Sequence, residues 1–322
     1  MIMVKPLLKD LKPGEAVETF LVVAQKQERT TKVGDAYLSL KLADASGEIE
    51  ANLWKEYAEL FPRLKENTFV KVRGALGEYK GKKQFNLEKL RLAREQEIEL
   101  ADFVRHTSAD IPQTLQKIKN ILLAIPDADL KKLAELFLSD EKLLADFVRA
   151  PAAQSMHSAC IGGLLEHVAA MLDIAVFLAG QYSLDRSLLL MGVFLHDIGK
   201  LRELDYSKLT FGYTDSGGLV GHIVLGVQML QEKISLLPDF PARKKMLLEH
   251  LIISHHGTRE FGSPQTPMTR EAVALHYIDN IDAKLVGFAE FVARNPTDTA
   301  WTAKAHMFDN KRLYVGGPED EK

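Results

Sequence analysis

One cysteine, Cys160, stands among 322 residues, so no internal disulfide forms, no metal site rests on thiolates, and the chain suits a reducing, cytoplasmic setting. Charge of one sign is also lacking. With 41 basic against 44 acidic side chains, any attraction to a polyanion must come from local clusters rather than a global field. No uncharged apolar run approaches the ~20 residues that cross a bilayer. The N-terminal MIMVKPLLKDLKPGEAV is broken too early, by Pro6 and Pro13, to act as a signal peptide, so no membrane partner is expected. What is abundant is apolar side chain: at 46% hydrophobic the chain exceeds one comfortable core, and two domains are expected.

The first ninety or so residues alternate with period two between turn residues, the mark of half-buried strands. Five are expected, at 16–27, 36–43, 48–54, 68–78 and 82–92. Leu38, Leu40 and Leu42 share one face of the second, and Ile49, Ala51 and Leu53 one face of the third. Residues 44–47 make a hairpin, and an amphipathic helix is expected at 55–64. This order resembles the five-stranded oligonucleotide/oligosaccharide-binding (OB) barrel, which binds through its strand 2–3 face and its 1–2 and 4–5 loops. The resemblance covers residues 1–93. In this chain the first loop holds Lys26, Arg29 and Lys32, the second Lys80, Lys82 and Lys83, with Tyr37, Trp54, Tyr79 and Phe85 near them. Cations that follow phosphates beside rings that stack on bases suit a single strand. The competing view leaves the lysines as solubilising charge and the rings as core.

Residues 94–112 are charged, lose the alternation and end at Pro112, so a linker is expected there. From 113 to 295 the period becomes helical, as Leu115, Ile118, Ile121, Leu122 and Ile125 recur at three and four, and an all-α domain is expected. Its further helices are placed at 141–148, 161–179, 186–196, 221–234, 242–254 and 270–293. Residues 296–322 form a tail, in which Lys311 and Arg312 are candidates to approach a phosphate.

Most of the ten histidines lie in this half, in an ordered series: His167, the doublet His196-Asp197, His222, the doublet His255-His256, then Asp279. Imidazole and carboxylate are good ligands for divalent first-row metals, and ligands from separate helices can converge inside a bundle. An ionised Asp197 in the apolar run LLLMGVFLHDIG would be costly without a cation. His196 and Asp197 point ~100° apart on a regular helix, so a helix loosening at Gly199 is expected to turn both inward. His250, His276 and His306 are read as hydrogen-bonded core histidines, and Asp282, three residues after Asp279, as an alternative ligand.

The segments GGLLEHV, FLHDIGK, LVGHI, SHHGT and LHYIDN resemble those of the HD superfamily of metal-dependent phosphohydrolases, in the same order. The resemblance implies that His167, His196, Asp197 and Asp279 hold one metal. It also implies that Asp197 bridges to a second metal held by His222 and by His255, His256 or both. A pair of ions would activate water for in-line attack on phosphorus and steady the departing oxygen. Lys200 and His157 are then candidates to bind the phosphate or protonate the leaving group; Arg202 and Tyr213 are weaker candidates, and the competing reading of Lys200 is a cation capping a helix C-terminus.

An OB barrel followed by such a domain, with GGLLEHV, LHDIGK, GHI, IISHHGTREFGSP and LHYIDNIDAKL, is similar to the YhaM family of bacterial 3′-to-5′ exoribonucleases. That resemblance implies removal of nucleotides from single-stranded RNA, with single-stranded DNA a further candidate, supported by two divalent ions such as Mn2+, Co2+, Fe2+ or Ni2+. Enzymes that cleave cyclic di-GMP follow their double histidine with a different run, so that activity is discounted. Two alternatives stay open: hydrolysis of a small nucleotide, and an RNA-binding protein whose metal site is structural only.

Overall fold

The alternating leucines of the N-terminal half all turn to one side because five strands wrap around them. A computed structural model describes residues 6–31, 34–79, 82–98, 103, 105–153, 160–206, 212–295 and 297–316. Strands β1 (Ala16–Thr30), β2 (Ala36–Asp44), β3 (Gly47–Leu53), β4 (Phe69–Tyr79) and β5 (Lys82–Leu92) close a barrel in the order β1-β2-β3-β5-β4. β1 is long enough to pair antiparallel with both β2 and β4, bending at a bulge between Val23 and Gln25. The closure is a short parallel bridge in which Ala51 of β3 meets Phe85 of β5. Leu21, Val23, Leu38, Leu40, Leu42, Leu53, Val70, Val72 and Phe85 fill the interior. At the β2–β3 hairpin the Asp44 carboxylate accepts from the backbone N–H groups of Ser46 and Gly47, which sets the turn. The helix expected at 55–64 is a short 3-10 segment, Lys55–Leu60.

The segment expected to be a linker is partly structured. Arg91 grips Glu97 through two hydrogen bonds of 2.8 and 2.7 Å, and the buried Phe103 sets its ring edge against Phe69, with centroids 4.9 Å apart. The chain divides into two compact units between His106 and Thr107.

The second unit is helical. Helices α1 (Ile111–Leu123), α2 (Ala128–Leu138) and α3 (Glu141–Phe147) are each N-capped by an aspartate, Asp110, Asp127 and Asp140. Pro112 sits in the first turn of α1, where its missing N–H costs nothing, so it opens the helix rather than ending a linker. α4 (Gly163–Gln181) is flanked by α1, α5 (Arg186–Leu195) and α10 (Arg270–Arg294). That position explains why α4 is apolar nearly all round. By length and composition it could cross a membrane, yet 56% of it is buried in the helical core and it carries Glu166, His167 and Asp173.

After α5 the chain makes a tight turn into α6 (Lys200–Glu203), then the two-residue strands β6 (Leu204–Asp205) and β7 (Gly212–Tyr213), and α7 (Asp215–Val220). α8 (His222–Ile234) and α9 (Ala242–Ser254) precede α10. These small elements between α5 and α8 have too few residues to show a period. Beyond α10, β8 (Trp301–Ala305) and β9 (Lys311–Tyr314) form a hairpin, and the Lys284 ammonium on α10 donates to the Met307 carbonyl at 2.5 Å.

Candidate metal centre and nucleic-acid face

Five helices or helix ends each deliver one part of a polar cluster into an apolar interior. His167 comes from the second turn of α4, His196 and Asp197 from the turn after α5, His222 from the start of α8, His255 and His256 from the end of α9, and Asp279 from α10. His167, His196, Asp197 and His255 are almost completely buried, whereas His222 and His256 retain some exposure. Within this cluster, ligand atoms of His167, His196 and Asp197 lie within 4.8 Å of one another, and so do those of His222, His255 and His256.

Asp197 stands between the two groups. Its Oδ2 is 3.2 Å from His196 Nε2, while its Oδ1 is 3.5 Å from His222 Nε2 and 3.6 Å from His255 Nε2. Asp279 Oδ1 completes the first group at 3.3 Å from His167 Nε2.

The orientation of the rings is set from behind. Every one of the five imidazoles has its Nδ1 engaged: His167 with Asp282 Oδ2 at 2.6 Å, His222 with Glu203 Oε1 at 3.0 Å, and His196, His255 and His256 with the carbonyls of Val193, Ile252 and Phe261 at 2.7, 2.7 and 2.8 Å. A carbonyl or carboxylate only accepts, so Nδ1 carries a proton in each ring and leaves Nε2 as the atom available to a ligand. His276 adds a further brace by donating from Nδ1 to the His255 carbonyl at 2.9 Å, and Gly257 makes room for it, since a Cβ there would lie 2.2 Å from the His276 ring.

Four of the inward atoms have no hydrogen-bond partner. Among the described residues, His196 Nε2, His222 Nε2, His255 Nε2 and Asp197 Oδ1 are buried without a hydrogen bond. Each such atom costs ~1–3 kcal/mol in a folded interior, which is a poor arrangement unless a cation completes it. A donor set of neutral imidazole nitrogens and carboxylate oxygens fits a divalent first-row ion.

Electrostatics agree with the geometry. Burial pushes Asp197 up, but the neighbouring Lys200 ammonium and His196 outweigh it and hold the carboxyl well below its usual range. Burial likewise opposes ionisation of Asp279, and its bond to His167 reverses the sign. For His167, burial favours the neutral ring, but the bonds to Asp279 and Asp282 raise it to about 9. His255 is driven well down by burial and then by His256, and His256 is driven down chiefly by burial, so both stay neutral and free to ligate.

Lys200, a sequence candidate for phosphate binding, is engaged: its Nζ is 2.5 Å from both Asp197 Oδ2 and the Ala152 carbonyl. Arg202 is clamped by Glu232 through two bonds of 2.8 and 2.6 Å, which leaves it poorly placed for a phosphate. Tyr213 is exposed on β7. His157 lies outside the described residues. Arg312 is bonded to the Thr302 carbonyl within its own hairpin, and Lys311 is exposed 3.8 Å from Asp309. Of the three histidines read as core residues, His250 accepts from the Met268 N–H at 3.0 Å and His276 braces His255, but His306 is exposed at the head of a 3-10 turn.

Two features differ from the sequence reading in their cause. Gly199 does not serve by its backbone freedom, since its φ is an ordinary −65°; the glycine is needed because a Cβ would come 1.9 Å from the His222 carbonyl oxygen. Glu203, which fixes the His222 ring, was missed because a carboxylate on a four-residue helix has no periodic context. Asp282 was visible as the partner one turn along from Asp279, but its place behind His167 was not.

On the barrel, Tyr37 near the start of β2 and Trp54 just past the end of β3 lie side by side, with ring centroids 5.1 Å apart and planes tilted by 30°, and Trp54 is 45% exposed. Arg29 is exposed on β1 directly opposite Tyr37. Lys83 is exposed on β5. Lys26 is partly buried, its Nζ donating to the Phe61 carbonyl at 2.8 Å and lying 3.3 Å from Glu28. Phe85 corrects the sequence expectation: it is fully buried in the barrel core and cannot stack on a base, because inward-facing positions of a small barrel are filled by its own side chains. Tyr79 and Lys82 pair by their backbones across the β4–β5 turn, while Lys32 and Lys80 lie outside the described residues.

Comparison with known proteins meets this geometry. Residues 164–284 match the HD domain family, and residues 22–93 match the family described as OB-fold nucleic acid binding domain. The first span holds every residue of the histidine–aspartate cluster. The chain thus joins an OB barrel to a helical HD domain, the domain of metal-dependent phosphohydrolases. Among solved structures, the chain is similar to the second OB-fold domain of replication protein A from Methanococcus maripaludis, at 22% identity over 30% of this chain and 100% of that one, with a TM-score of 0.24. It is also similar to the single-stranded DNA binding protein from Thermus aquaticus, at 22% identity over 25% of this chain and 40% of that one, with a TM-score of 0.23. The barrel assignment rests on its strand order and its family match.

Proposed function

We propose that the protein is a metal-dependent 3′-to-5′ exonuclease of single-stranded RNA, also able to accept single-stranded DNA. The observation that carries this reading is the convergence of the Nε2 atoms of His167, His196, His222 and His255 on Asp197 and Asp279, with His256 grouped beside His222 and His255 and every Nδ1 already engaged. His167, His196, Asp197 and Asp279 would hold one divalent cation, and His222, His255 and His256 a second, with the two oxygens of Asp197 facing both groups. Bound there, the cations supply Lewis acidity toward a phosphoryl oxygen and lower the pKa of water.

The chain's own groups perform the remaining tasks. Asp282 and Glu203 hold His167 and His222 by their Nδ1 protons, and Lys200 steadies Asp197 Oδ2. The buried faces of His167, His196 and His255 keep bulk water from one side, so substrate approaches along the partly exposed His222 and His256 edge. The Tyr37–Trp54 pair with Arg29 offers a ring surface and a cation for a single strand. The polarity of degradation follows from the resemblance to YhaM-type exoribonucleases.

A 5′-labelled single strand incubated with Mn2+, Co2+, Fe2+, Ni2+ or Mg2+ is the direct test. Stepwise shortening that keeps the label, abolished by Asp197→Asn, supports the proposal. Hydrolysis confined to small nucleotides overturns it in favour of a nucleotide phosphohydrolase. Tight metal binding with no hydrolysis of either class assigns the site a structural role.

A further inference from the structure

The exposed edge of the metal centre is where a substrate must meet this protein, and both sides of that edge carry side chains that the metal cluster does not use. His222 and His256 face each other there, with ring centroids 5.2 Å apart. Beyond His256 the chain turns through Gly257 (φ +83°) into the short 3-10 segment Arg259–Phe261, closed by Gly262 (φ +89°). That turn is tied to the centre where the His256 ring donates from Nδ1 to the Phe261 carbonyl at 2.8 Å. The backbone of Phe261 is therefore fixed beside a metal-cluster residue while its ring is 67% exposed. On the other side, α7 ends in Leu219 and Val220, two residues before His222, and Leu219 is 88% exposed.

Single exposed apolar side chains are common on a protein surface, so what singles out Phe261 is the bond from the His256 ring to its carbonyl, and what singles out Leu219 is its place three residues before His222. The turn is also incompletely satisfied by the protein: Ser263, at its end, is buried, and its Oγ has no hydrogen-bond partner among the described residues. A phosphodiester seated at the cluster carries a nucleobase on either side of its phosphate. An exposed ring a few bonds from His256 is within reach of one of them, and stacking is tolerant of sequence because every base has a π face.

We infer that Phe261 is a nucleobase-stacking residue of the active site, with Leu219 a second apolar contact from the His222 side, so that the enzyme selects a terminal nucleotide by its base as well as its phosphate. This rests on the proposed nuclease reading and adds a substrate contact to it. Phe261 acts through its ring and His256 is held by its backbone, so the two roles separate. Replacing the ring leaves the carbonyl that orients His256 in place.

The experiment compares full-length wild type, Phe261→Ala, Phe261→Trp, Leu219→Ser and, as a control on an exposed apolar side chain of α10, Leu285→Ser. Each is assayed on a single strand with all bases, on one made abasic at its 3′ terminus and on one made abasic at its 5′ terminus, with Mn2+ affinity measured in parallel. Wild type should prefer the fully based strand to one of the abasic strands by about 5- to 100-fold in kcat/KM. Phe261→Ala should erase that preference with Mn2+ affinity unchanged, Phe261→Trp should restore it, Leu219→Ser should reduce it, and Leu285→Ser should not affect it. The inference is overturned if Phe261→Ala keeps the wild-type preference, lowers all three strands equally, or if wild type has no preference. Wild type that binds Mn2+ and cuts none of the strands sinks the nuclease reading itself.

Discussion

His167 Nδ1 lies 2.6 Å from Asp282 Oδ2, a contact between α4 and α10 that fixes the ring whose other nitrogen faces Asp279. Carboxylates behind a ligating histidine set its tautomer and raise its basicity, and losing one typically costs 10–100-fold in metal affinity or activity. Asp282→Asn is therefore expected to weaken Mn2+ binding by about 10- to 100-fold with unchanged circular dichroism. Titration against a competing chelator measures this, and wild-type affinity in the variant would remove Asp282 from the site.

Proton linkage gives a second prediction. In the metal-free protein His167 titrates at about 9 despite its burial, held up by Asp279 and Asp282. Its proton must leave before Nε2 can ligate, so metal affinity should rise as pH climbs toward 9. Loading near pH 7.5 should release about one proton from this ring, whereas His255 and His256, neutral already, release none. A raised folded-state pKa also means that this group's stabilisation of the metal-free fold is complete below its unfolded value, near 6.5, and fades as pH rises through 9. Calorimetry in two buffers of different ionisation enthalpy reads the proton, and equal heats in both would contradict it.

Gly199→Ala addresses the turn that carries the doublet. The added methyl would stand 1.9 Å from the His222 carbonyl and 2.6 Å from the Gly226 nitrogen, both backbone atoms that cannot swing aside. α8 must shift, taking His222 with it. The expected result is a loss of metal affinity out of proportion to any fall in melting temperature. A fully folded variant with wild-type affinity would show that α8 does not set the site.

In the barrel two aromatic residues should part company. Phe85→Ala removes a fully buried ring and should cost about 3–5 kcal/mol of barrel stability in denaturant. Trp54→Ala removes an exposed ring and should leave stability within about 0.5 kcal/mol while weakening single-strand binding by about 1–3 kcal/mol. The reverse pattern would place the binding face elsewhere.

Much of the architecture was legible because its signals are local. The inward apolar residues of β2 and β3 alternate over a few residues, and helices α8, α9 and α10 begin and end within a residue of where their periods place them. The segment between α5 and α8 was not legible, since α6 and α7 have four and six residues, and β6 and β7 two each. The hairpin of β8 and β9 escaped for the same reason.

The order of histidines and aspartates, their residue types and the apolar context that makes Asp197 expensive were settled by the chain of letters alone, because chemical type and short-range periodicity are written residue by residue. Only the folded chain decided which ring nitrogen faces inward, why position 199 tolerates no side chain, and that Phe85 fills a core while Trp54 meets water. Those outcomes depend on contacts between residues as far apart as His167 and Asp282, 115 positions along the chain, and such contacts exist only after the helices have packed.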